Sequence, residues 1–84
     1  MNKAYILFHL KEAQEELGKT IHEIESQPDY DYGEYVVAMM HLYHHINTAW
    51  NARDVSPDVA ERCSEDDFYA WRRFPSEDEI YLGK

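Results

Sequence analysis

Cys63 is the one cysteine in 84 residues, so no intrachain disulfide can staple this chain, and a free thiol points to a reducing, cytoplasmic setting. Basic residues are also scarce. Eight Lys and Arg against seventeen Asp and Glu leave a formal net charge of −9. Nucleic-acid affinity depends on cations displacing counterions from phosphates, and the adjacent Arg72 and Arg73 are too few to reverse this sign, so no nucleic-acid partner is expected. Acidity on this scale usually keeps a protein soluble; its less common use is docking on a basic partner as an acidic regulator. Long apolar runs are missing too. No stretch approaches the roughly 20 apolar residues of a membrane-spanning helix. The opening Met1–Lys11 lacks the longer apolar region and cleavage site of a signal peptide, and a soluble protein with no membrane partner is expected. No complete catalytic or nucleotide-binding motif occurs, so enzyme activity is not the first expectation.

What is present specifies helices. Ile6, Leu10, Ala13, Leu17, Ile21 and Ile24 recur at spacings of four and three, which predicts a helix over 3–26 with one apolar stripe and with Glu12, Glu15, Glu16, Lys19 and Glu23 outside. Pro28 breaks it. Asp31-Tyr-Gly-Glu34 has capping-box spacing and starts a second helix, over 32–53, whose inner stripe is Tyr35, Ala38, Leu42, Ile46 and Ala49 with Met39 alongside. Val36, Met40, Tyr43 and Trp50 widen that apolar arc beyond the roughly 100° that one neighbour needs. The short loop makes the two helices an antiparallel hairpin. Ser56-Pro57 and Ser64 cap two short helices, about 57–62 and 65–74, the latter carrying Phe68, Trp71 and Phe74 to cover the open face of the hairpin before Pro75. The tail, 76–84, joins an acidic run to an apolar knob of Ile80, Tyr81 and Leu82. The expected fold is one small all-α domain, 1–84: a two-helix hairpin with one or two short C-terminal helices. A chain this short has a modest core, so a metal or a second subunit is an expected source of stability.

Three of the five histidines cluster in His41-Leu-Tyr-His-His45 on the second helix. At about 100° per residue, His41 and His45 share one edge, Glu34 falls two turns earlier on it, and His44 points farther out. Across the hairpin, Glu16 and His9 flank the same side. Imidazoles one turn apart with a carboxylate suit zinc or another transition metal, which gives a candidate site of His41, His45 and Glu16, with Glu34 and His9 as further ligands. The intervening residues lack the Glu of a His-Glu-x-x-His hydrolase, and the Glu-x-x-His pairs of di-iron bundles are absent. The plainer alternative is a set of hydrogen-bonded imidazoles at a helix seam.

Glu12, Glu15 and Glu16 resemble the paired carboxylates with which all-helical nucleotide pyrophosphohydrolases of the MazG type hold magnesium, but the second helix lacks the matching Glu-x-x-Asp or Glu-x-x-Glu pair. Cys63 precedes the cap Ser64 and is flanked by Glu61, Glu65 and Asp66, a setting that favours an inert thiol. Asn47, Thr48, Asn51 and Arg53 mark either a small polar cleft or the solvated end of the second helix. Met39, Tyr43 and Trp50, with Gly18 on the corresponding flank of the first helix, form a candidate protein interface, since aromatic and methionine side chains are enriched where proteins meet. The expected function is a non-enzymatic interaction or assembly module acting as a homodimer, two hairpins forming a four-helix bundle. A small transition-metal-binding protein is the alternative.

Overall fold

The computed structural model describes residues 1–81 and folds as two long helices followed by three short ones. They are α1 (Lys3–Ser26), α2 (Tyr32–Asn51), α3 (Pro57–Arg62), α4 (Glu65–Arg72) and α5 (Glu77–Tyr81), with no strand among the described residues. Side-chain caps define the starts. Asp31 Oδ1 accepts from Glu34 N at 2.8 Å, Ser56 Oγ from Val59 N at 3.3 Å and Ser64 Oγ from Asp67 N at 3.1 Å. The reciprocal half of the expected capping box is not made among the described residues, where Glu34 lines a groove with Glu16 and Glu23. Helix α5 was not expected in the tail. It forms because Ser76 Oγ caps Glu79 N at 3.2 Å and Glu77, Asp78 and Glu79 fill a first turn that favours negative charge. Leu82, the last residue of the expected apolar knob, lies outside the described residues.

Two helices stop earlier than expected. α2 ends at Asn51 rather than Arg53, since Arg53 N turns back to the Trp50 carbonyl at 3.3 Å and the Arg53 carbonyl accepts from Asn2 N at 2.6 Å. Asn2 thereby joins both ends of the hairpin: its Oδ1 caps α1 at Tyr5 N, 3.1 Å, and its Nδ2 donates to the Val55 carbonyl at 3.1 Å. α4 ends at Arg72 rather than Phe74. Asn47 Nδ2 donates to the Arg72 carbonyl at 3.0 Å, and Asn51 Nδ2 to the Trp71 and Arg73 carbonyls at 2.8 and 2.7 Å, so side chains of α2 satisfy the carbonyls that a longer helix would have used. Asn47, Thr48 and Asn51 are thus a buried or half-buried joint between α2 and α4, not a solvated helix end.

The helix interface is rotated from the one that the apolar spacing predicts. Buried residues at the α1–α2 contact are small, Ala13 and Thr20 from α1 with Ala38 and Ala49 from α2, which lets the two backbones approach closely. The larger apolar residues turn sideways. Leu10, Leu17, Ile21 and Ile24 on α1, and Tyr35, Tyr43 and Ile46 on α2, retain between 42 and 50 % of their exposure. Among the described residues no large side chain is fully buried, so the hairpin closes on alanine and polar contacts rather than on a leucine core.

Candidate functional site

Helix geometry explains why the exposed apolar residues share one face. At about 100° per residue, Leu10, Leu17 and Ile21 sit on one flank of the α1 contact, and Tyr35, Met39 and Ile46 on the same-handed flank of the α2 contact. Because the helices run antiparallel, turning the same way about each axis leads to the same side of the hairpin. Both flanks also follow the alternating three-four spacing of a coiled-coil seam: Leu7, Leu10, Gln14, Leu17, Ile21 and Ile24 on α1, and Tyr32, Tyr35, Met39, Leu42 and Ile46 on α2. The spacing of that seam is legible in the sequence, where it equally predicts a contact between the two helices of one chain.

This face is bare. The accessible surface of 6324 Å² is roughly 1,000 Å² above the value of about 5,200 Å² that scaling gives a folded monomer of 10.0 kDa. The radius of gyration, 14.6 Å, likewise exceeds the roughly 12 Å of a compact chain of this length. Of the expected interface residues, Met39 is half-buried within the face and Tyr43 meets the Phe74 ring edge-on at 5.2 Å. Trp50 lies under the Arg53 guanidinium at 4.0 Å, and Gly18 sits at the outer margin with open space around it. Of the C-terminal aromatics expected to cover the hairpin, Phe74 alone is seen to meet this flank, at Tyr43. Trp71 is buried against Tyr5, rings 6.0 Å apart, on the opposite side of the hairpin, while Phe68 and Phe74 stay exposed.

The opposite side carries the histidines around a cleft of about 440 Å³ among α1, α2 and α4. His9 and His45 meet across the α1–α2 contact with their Nδ1 atoms 3.0 Å apart. Tyr5 and Phe8 stand edge-on to the His9 ring at 4.7 and 5.1 Å, and His9 Nε2 is buried without a hydrogen-bond partner. Burial, then the neighbouring His45, lowers the His9 pKa to about 4. His44, expected to point outward, is half-buried, with Arg72 Nη2 2.5 and 3.1 Å from its two ring nitrogens. Burial and the Arg72 charge lower its pKa as well, with His41 and His45 adding to the effect. The Tyr5 hydroxyl beside Cys63 has a raised pKa, through burial and then that neighbour. Cys63 itself caps α3 in the left-handed region, φ 36°.

The structure brings His9, His41 and His45 of the expected metal ligands to one cleft and places Glu16 and Glu34 on the adjoining groove. His45 is engaged with His9, and exposed His41 stands between two sites, lining the histidine cleft on one side and a groove with Glu16, Glu23 and Glu34 on the other. Among the described residues, no group of three or more His, Cys, Asp or Glu side chains is placed to hold a metal ion. Arg72 and Trp71, which close the cleft, were missed as site residues; their signal was the pairing of an aromatic with a cation on a capped short helix, which has no meaning until α4 is docked. No helix of the described residues is long and apolar enough to cross a membrane. No family model, curated protein or solved structure matches this chain.

Proposed function

We propose that this chain is a non-enzymatic assembly module that acts as a cytoplasmic homodimer, two hairpins stacking their bare faces into a four-helix bundle. The observation that carries this reading is the continuous apolar face with seam spacing on both helices. Standard interfaces bury about 800 Å² per partner. A second copy supplies an apolar face of matching length and spacing. The chain's negative charge limits association elsewhere, because like-charged surfaces repel wherever apolar contact does not offset them. A Leu17→Glu substitution places a charge in the middle of the face and should yield a folded monomer by light scattering. Unchanged mass for wild type and variant would refute this assembly.

A second reading rests on one distance. Two imidazole nitrogens bound tetrahedrally to zinc at about 2.0–2.1 Å lie about 3.3 Å apart, close to the 3.0 Å between the His9 and His45 Nδ1 atoms. A slight opening of this pair makes a two-histidine chelate for zinc or another transition metal, completed by water or an outside ligand. Zinc calorimetry tests it: His9→Ala and His45→Ala should abolish binding, and His41→Ala should leave it intact. Equal loss in His41→Ala would restore the His41–His45 arrangement, and an absence of saturable binding would remove the metal reading.

A further inference from the structure

The histidine cleft lies on the other side of the hairpin from the bare face, so its chemistry is independent of assembly. Its volume of about 440 Å³ is within the range of small-molecule sites, about 300–1,000 Å³. Seventeen of the 84 residues are acidic, yet none lines this cleft, while the adjoining groove holds Glu16, Glu23 and Glu34. Asp67 acts on Tyr5 from α4 but is not part of the lining. The fixed charge of the cleft is Arg72. Arg53 and Arg73 each have a carboxylate within reach, whereas Arg72 has none among the described residues. Its guanidinium instead lies over the Phe68 ring, 4.3 Å from the centroid, and against the His44 ring.

Stacking fixes the plane of a guanidinium and leaves donors on its edge, the geometry that receives a planar two-oxygen acceptor. The remaining walls are the aromatic rings of Tyr5, Phe8 and Trp71 and the imidazoles of His9, His41 and His45, with Thr48 and Cys63 as further polar groups. A cleft walled by flat aromatic and imidazole rings, with one fixed cation and no carboxylate, suits a ligand that has a flat body and one carboxylate. We propose that this cleft binds a small planar aromatic monocarboxylate, with the acid group on Arg72 and the ring among Tyr5, Phe8, Phe68 and Trp71.

Naphthoate is a suitable probe, titrated into the full-length protein by calorimetry in a carboxylate-free buffer, with naphthamide and inorganic phosphate as comparisons. Naphthoate should bind saturably, and naphthamide, which keeps the ring but loses the charge, should bind about tenfold or more weaker, as expected for loss of a charge-assisted pair. Arg72→Gln should cost naphthoate the same factor, whereas Arg73→Gln should leave its affinity unchanged. The naphthoate–naphthamide difference is measured on the native protein, so it decides the matter even if Arg72→Gln fails to fold. No saturable naphthoate binding, equal affinity for the amide, phosphate binding as tight as naphthoate, or equal losses in the two arginine variants would overturn the proposal.

Discussion

Acid should loosen the hairpin through His9 before the carboxylates titrate. His9 is held neutral in the fold, its pKa lowered from 6.5 to about 4 mainly by burial among Tyr5, Phe8 and His45. A proton added to its ring makes both nitrogens donors, which is costly beside aromatic edges in a site that already leaves Nε2 without a partner. The sign follows from linkage: the folded pKa lies below the unfolded one, so the unfolded chain binds the proton first. This contribution is fully present above pH 6.5 and is lost as pH falls from 6.5 toward about 4. The shift corresponds to about 3.4 kcal/mol at 1.36 kcal/mol per unit, but His9 is only half-buried and solvent screening reduces the expected loss to about 1–2 kcal/mol. Urea denaturation across that range measures it, with His9→Gln as the reference because Gln keeps a polar side chain but cannot titrate. The wild-type curve should fall relative to the variant as pH drops. Parallel curves would refute the assignment of His9 as the acid-sensitive element.

Three further substitutions test the joints of the fold. Asn51→Ala removes two hydrogen bonds to the end of α4 and should cost about 2 kcal/mol, at about 1 kcal/mol per bond, in denaturant unfolding, with Trp71 fluorescence moving toward that of an exposed indole. Asp31→Ala deletes the α2 cap and should cost about 1 kcal/mol; an unchanged unfolding midpoint would mean that the cap is dispensable. Cys63→Gly relieves the left-handed backbone at the end of α3 and should raise the melting temperature by an amount equivalent to about 1 kcal/mol, whereas a loss of stability would show that the thiol's contacts in the cleft outweigh the strain.

Much of the fold was legible because its signals are local. The caps Asp31, Ser56 and Ser64 and the breaks at Pro28 and Pro75 act within a few residues, and the α1 bounds, Lys3–Ser26, coincide with those predicted. What failed was the direction in which the apolar stripes point. Spacing identifies residues that share a face, and a seam built for a neighbouring chain has the same spacing as one built for a helix of the same chain. Leu17 and Ile21 therefore read as core and lie exposed, while Ala13 and Thr20 make the contact. The pairing within the histidine cluster was illegible for a related reason. The His41–His45 column is present on α2, but the rotation of α1 pairs His9 with His45, while His41 borders both the cleft and the acidic groove. Arg72 reaches His44 across 28 positions in sequence, a distance over which periodicity carries no information.

The absolute mass of the native protein in solution, measured by sedimentation equilibrium over a wide concentration range, tests the assembly reading most directly. A homodimer predicts a mass about twice the chain mass of 10.0 kDa for the wild type, falling to one chain mass for a folded Leu17→Glu variant. A wild-type mass of one chain at every concentration would contradict it, leaving the apolar face of α1 and α2 without the partner proposed for it.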